Sequence, residues 1–138
     1  MPGVTALVLD RERAHMLGVR RADNGSWTPV TGIVDPGEEP GRAAVREVAE
    51  EAGIACTALR LIDVRALPEI AYANGDRAQY LDLCFLCEAD GAQRPHPADG
   101  ENTETRWFPV DAPPPMNDRF VAQLALALED PLEARFRR

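Results

Sequence analysis

The sequence predicts an α/β protein built as a mixed β-sheet flanked by helices, an α/β/α sandwich. Three observations carry this. Apolar, β-branched runs with turn signals between them fill the first thirty or so residues, a helix with a clear start and stop follows, and further strand-like runs precede a closing helix. The order reads β-β-(β)-α-β-β-(β)-α. With 138 residues and 45% apolar content, the chain is expected to form a single domain, 1–138, around one core.

Val4 to Leu9 reads as the first strand and Ala14 to Val19 as its partner, joined by the charged turn Asp10-Arg11-Glu12-Arg13. Asn24-Gly25 marks a second turn, and a short extended piece, Trp27 to Thr31, leads into a loop opening at Gly32. Pro36-Gly37 and Pro40-Gly41 keep residues 32–41 non-helical until Pro40 or Gly41 starts a helix. That helix, Arg42 to Ala52, has an apolar side of Ala44, Val45, Val48 and Ala52, and Gly53 suits the left-handed position that ends it. Strands follow at Ala58 to Leu67, stopped by Pro68, and at Gln79 to Cys87, with Tyr80, Leu83 and Phe85 as core candidates. Residues 89–102 form a polar loop long enough to suggest function. Arg106-Trp107-Phe108 returns as a short strand. After the break at Pro113-Pro114-Pro115, Asn117 or Asp118 caps a final helix, Arg119 to Leu128.

The formal net charge of −8 argues against a nucleic-acid polymer as partner. A small anionic substrate remains compatible with that charge if cations neutralise both sides. All basic residues are arginine, so a phosphate clamp here must be built from guanidinium groups. No apolar run is long enough to span a membrane, and the start of the chain shows no secretory pattern, so a cytoplasmic location is expected. Cys56, Cys84 and Cys87 are read as buried thiols. The Cys84-Phe85-Leu86-Cys87 spacing lies within a strand, which points its two sulfurs to opposite faces.

The chemistry is concentrated in residues 32–54, GIVDPGEEPGRAAVREVAEEAGI. Glu47, Glu50 and Glu51 stand at i, i+3 and i+4 and share one side of the helix, where like charges repel. A solvated helix would alternate its signs. Gathered carboxylates are the oxygen ligands that Mg²⁺ prefers, with Mn²⁺ as a possible substitute. Arg46, four residues before Glu50, is placed to orient it, and Glu38 in the loop can reach the same cluster.

These residues, written Gx5Ex7REUxEExGU with U aliphatic, match the signature of the Nudix hydrolase family at every specified position. The resemblance implies the Nudix α/β/α fold and hydrolysis of a nucleoside diphosphate linked to a further moiety. It implies a metal site of Glu47, Glu50 and Glu51, with Glu38 joining directly or through water and a backbone carbonyl from Thr31 or Gly32, and orientation by Arg46. It also implies a general base, either on the helix or in the loop before the Trp107-Phe108 strand, where Glu101 is favoured and Glu104 is the alternative.

Substrate contacts lie outside this stretch. Trp27 either stacks on a nucleobase or anchors the core. Arg20 and Arg21 are candidates for phosphate contact. Asn117 and Asp118 fall where MutT-like members often place base-reading side chains, and an N-cap explains them equally well. Pro68 and Tyr72 resemble markers of ADP-ribose and dinucleoside-polyphosphate subfamilies respectively, and so point in different directions. His15 and His96 receive no role. The leading expectation is a nucleoside triphosphate cleaved to a monophosphate and pyrophosphate. The alternatives are an ADP-ribose or other nucleoside-diphosphate-sugar pyrophosphatase, or a catalytically silent nucleotide-binding regulatory module. Either a monomer or a homodimer is compatible with the chain.

Overall fold

The first two strands diverge, and that divergence shapes the molecule. The computed structural model describes residues 1–138. β1 (Pro2–Asp10) and β2 (His15–Arg21) pair only near their turn, where Leu9 faces Met16. Residues 27–33 fill the V between them. β3 (Trp27–Thr28) pairs with the end of β2 far from the turn, and after Pro29 β4 (Val30–Ile33) pairs with the far end of β1, Val4 opposite Gly32. What the sequence suggests as one extended piece is therefore two short strands. Gly32 belongs to the second of them and not to the loop.

α1 (Pro40–Ala52) begins with Pro40 in its first turn, where a missing N–H costs nothing, and ends at Gly53, whose φ of 67° is the left-handed stop expected. β5 (Thr57–Ala66) and β8 (Leu81–Ala89) follow as a long antiparallel pair, joined through the small hairpin of β6 (Ile70–Ala71) and β7 (Arg77–Ala78). β8 runs parallel to β1 along its whole length. β9 (Asn102–Pro109) pairs with β2 and is longer than the three residues expected, because the backbone edge of β2 continues past the apolar Trp107-Phe108. α2 (Asp118–Glu129) is capped by Asn117, whose side chain accepts from the Phe120 N–H, and β10 (Arg135–Phe136) closes the sheet edge on β5.

β1 is buried on both faces, and its period of two divides the core. Val4, Ala6 and Val8 pack with Val48, Ala44 and Ala52 of α1, whereas Leu7 and Leu9 pack with Leu124, Leu126 and Ala127 of α2. Cys84 joins the α2 layer and Cys87 the α1 layer, as their spacing in a strand requires. All three thiols are free. On α1 the inward side includes Ala43 and Glu51, and Val45 is only half-buried. Tyr80, expected in the core, is half-buried beside a cavity. No helix is long and apolar enough to cross a membrane.

Candidate active site

The mouth of the V is where the acidic residues gather. Gly32 presents no side chain to α1, and Glu47 occupies that space. A Cβ on Gly32 would overlap the Glu47 Cγ and Cδ and stand 2.6 Å from its Oε1. Glycine is needed here for close approach and not for an unusual backbone angle.

Arg46 ties the site to its loop. Its Nε and Nη2 donate to the two oxygens of Glu38 at 2.8 and 2.9 Å, and Nη1 reaches Glu47 at 3.0 Å and Glu50 at 3.1 Å. Nη2 also donates to the Ile33 carbonyl at 3.0 Å. The planar fork thus joins loop, strand and helix, a task a lysine could not perform. The hydrogen bonds from Arg46, with a further one from the Asp35 N–H, hold the Glu38 carboxyl down at about 2. Glu38 is therefore committed to Arg46 and supports the carboxylates of α1 through it.

The three helix glutamates differ sharply in environment. The Glu50 side chain is 51% exposed and Glu47 14%, while Glu51 as a residue is only 3% exposed. Glu51 Oε1 accepts from Asn102 Nδ2 at 2.9 Å, and Oε2 is buried with no partner. Burial pushes Glu51 up to about 8, with the neighbouring charges of Glu47, Glu101 and Asp99 adding to the shift. Glu47 is raised too, by burial first, against the opposing pull of Arg46. No three of these carboxylates already converge into a closed cage. An orphaned buried carboxylate oxygen, a second carboxylate seated on a glycine and an exposed third nearby nevertheless make an oxygen-only donor set. That set fits a hard divalent cation, which would offset the neighbouring negative charges that add to the burial-driven rise of both carboxyls.

A cavity of about 480 Å³ opens beside this cluster, and Thr31, Gly32, Glu47, Arg21 and Glu101 line it. The loop carrying Glu101 is strapped to the end of α1. The His96 N–H donates to the Ala52 carbonyl and the Ala98 N–H to the Glu51 carbonyl, while the Gln93 amide exchanges two hydrogen bonds with the Ala55 backbone. The His96 ring lies over Gly53, where a Cβ would come within 2.7 Å of Nε2.

A sequence model of the NUDIX domain matches residues 1–128. The chain belongs to the Nudix hydrolase family. It is similar to a MutT-like protein of Streptomyces ambofaciens, 31% identical over 126 residues that cover 91% of this chain and 73% of the relative. Its fold resembles that of an ADP-ribose pyrophosphatase from Streptococcus suis 89-1591, with a TM-score of 0.70, 22% identity, and 99% and 95% of the two chains covered. It also resembles a C. elegans Ap4A hydrolase, with a TM-score of 0.69, 17% identity, and 94% and 95% covered. As a Nudix hydrolase it is an enzyme acting on the phosphoanhydride bonds of nucleoside diphosphate derivatives.

The Nudix residues foreseen in the sequence separate into two groups in space. Glu47, Glu51, Glu101, Arg21 and the Thr31–Gly32 backbone meet at the cavity or directly behind it, and Arg46, Glu38 and Glu50 flank them. Glu104 does not join them. It pairs with Arg106 of its own strand at 2.7 Å and with Arg20 across the β2–β9 ladder at 3.6 Å, which lowers its pKa. Arg20 does not line the cavity and reaches instead to Glu104 and the Gly25 carbonyl. Trp27 packs edge-on against Phe108 with ring centroids 4.9 Å apart, and with Asn117 it lines a separate concavity of about 350 Å³. Asn117 caps α2, and Asp118, exposed in the first turn, lines neither cavity. Three residues at the Nudix site have no sequence signal. Asn102, which holds Glu51, lies 51 residues from it, and Asp82 and Arg119 reach the cavity only through the fold.

Proposed function

We propose that this Nudix hydrolase is a Mg²⁺-dependent pyrophosphohydrolase, with Mn²⁺ as a substitute, that cleaves a nucleoside triphosphate to its monophosphate and pyrophosphate. The observation that carries the reading is the gathering of Glu47 and Glu101 on the wall of a nucleotide-sized cavity with Glu51 buried close behind them. Glu47, Glu50 and Glu51, with the carbonyl of Thr31 or Gly32, would hold the metal. When bound, the metal supplies charge neutralisation of the phosphate chain and activation of water.

The chain's own residues do the rest. Arg46 fixes Glu47 and Glu50 in position, so neither has to reorganise as charge develops. Arg21, inside the cavity and bonded to Asp23 through two nitrogens, supplies a guanidinium to a phosphate oxygen. Glu101, exposed at the cavity wall, takes the proton from the attacking water, whereas Glu104 is already engaged by two arginines. Asn102 keeps Glu51 aimed at the cluster.

A second reading, an ADP-ribose or other nucleoside-diphosphate-sugar pyrophosphatase, keeps the same machinery and is suggested by the ADP-ribose pyrophosphatase among the structural relatives. A silent regulatory module would not need the full ligand set. The chain is read as one domain acting as a monomer or homodimer on a small nucleotide in the cytoplasm. A panel of nucleoside triphosphates, ADP-ribose and nucleotide sugars, assayed with Mg²⁺ for pyrophosphate, phosphate and monophosphate, separates the three. Release of pyrophosphate from a triphosphate is expected. Absence of turnover with both Mg²⁺ and Mn²⁺ would remove the enzyme reading of this site.

A further inference from the structure

The cavity has a second end that the hydrolytic residues do not use. Its floor there is Thr5 and Asp82, and its walls are Leu67, Ile70, Tyr72 and Tyr80. The hydroxyls of Tyr72 and Tyr80 lie 3.1 Å apart, which holds the two rings together as one wall. The cation at this end is Arg119. Its guanidinium stands 3.3 Å from Asp82 Oδ2 and lies over the Phe120 ring, 4.4 Å from the centroid. Asp82 is 3% exposed and its oxygens are occupied, Oδ1 by the Thr5 hydroxyl at 2.7 Å and Oδ2 by the Gln123 amide at 2.8 Å.

This arrangement narrows the ligand. The Asp82–Arg119 pair carries no net charge, so it does not recruit a second phosphate as a lone arginine would. Asp82 is buried beneath its partners and offers a ligand little acceptor surface, whereas the guanidinium keeps N–H groups free and has no acceptor of its own. Tyr72, Tyr80, Leu67 and Ile70 suit a flat heterocycle. The partner is therefore a neutral aromatic ring that presents two adjacent acceptors. O6 and N7 of a 6-oxopurine meet that description. Adenine does not, because its N6 amino group would face the guanidinium donor to donor.

We propose that Arg119, held by Asp82 and Phe120, reads the O6/N7 edge of a purine base and makes the enzyme prefer guanine and hypoxanthine nucleotides to adenine nucleotides. This rests on the nucleotide-hydrolase reading of the same cavity. It is tested by kcat/KM with Mg²⁺ for GTP, ITP, ATP and 7-deaza-GTP, beside calorimetric binding of α,β-methylene GDP and ADP. GTP and ITP are expected about tenfold to a hundredfold above ATP and 7-deaza-GTP. Arg119→Met should collapse that ratio towards one, and Arg119→Lys, which keeps charge but loses the fork, should fall between. Equal use of all bases by the wild type overturns the proposal and needs no variant. So does an Arg119→Met enzyme that keeps the ratio, or one that loses every nucleotide in equal proportion, the signature of a phosphate contact. Preferential binding of the methylene GDP without turnover of any nucleotide would leave the base reading standing and remove the hydrolase reading. Turnover without base preference does the reverse.

Discussion

Glu51→Gln separates the electrostatic cost of the site from its use. Buried behind Gly32 and Glu47, Glu51 is raised from 4.5 to about 8, so in the metal-free protein it holds a proton that the unfolded chain has already released. A raised carboxyl pKa gives stability that is fully present below about pH 4.5 and is lost progressively until the folded-state group ionises near pH 8. Across that window the folded state binds one more proton, so stability falls by about 1.4 kcal/mol per pH unit, or about 3 kcal/mol between about pH 5.5 and 7.5. Gln keeps the acceptor that Asn102 uses but does not titrate. Its amide puts an unpaired donor at the partnerless Oε2 position, where the protonated wild type also has one. The variant should thus be close to the wild type at low pH and more stable at high pH, with a flatter profile. Urea unfolding in EDTA at several pH values reads this directly. Parallel profiles for the two proteins would refute the burial argument. Saturating Mg²⁺ should stabilise the wild type most at high pH and the variant far less, since ligation needs the carboxylate.

Five other substitutions test the rest of the site and its supports. Gly32→Ala must displace Glu47 from its seat, and a shift of about 1 Å should lower kcat/KM on the order of a hundredfold while circular dichroism stays native. Glu101→Gln should lower kcat by about 10²- to 10⁴-fold with Mg²⁺ affinity retained, whereas Glu104→Gln, which loses only a surface ion pair, should stay near wild type. If the two losses are exchanged, the base assignment moves to Glu104. Arg46→Lys cannot span Glu38, Glu47 and the Ile33 carbonyl together, and a clear fall in kcat under saturating substrate is expected. Gly53→Ala combines a φ of 67° with an overlap on His96, and should cost about 1–3 kcal/mol in urea unfolding.

Local signals located the elements well where a side-chain period or a stop residue wrote them. The α1 boundaries came from Pro40 and Gly53, and the alternation in β1 and β8 assigned Cys84 and Cys87 to opposite layers. The two short strands either side of Pro29 were not legible as such, because nothing local says that β1 and β2 part there. The substrate side chains show the same limit. Asn117-Asp118 marked the right turn, but the cap consumed Asn117, and Arg119 is the residue that enters the cavity.

Residues 32–54 by themselves placed the carboxylates and the arginine that holds them on one helix face, and through their match to the Nudix signature they implied the reaction class. Tertiary structure alone decided how those carboxylates differ. Glu47, Glu50 and Glu51 look equivalent on one helix face, yet the splayed strands seat the first on Gly32, leave the second in water and bury the third against Asn102. Burial is set by what packs opposite a helix, and a helix period carries no information about that.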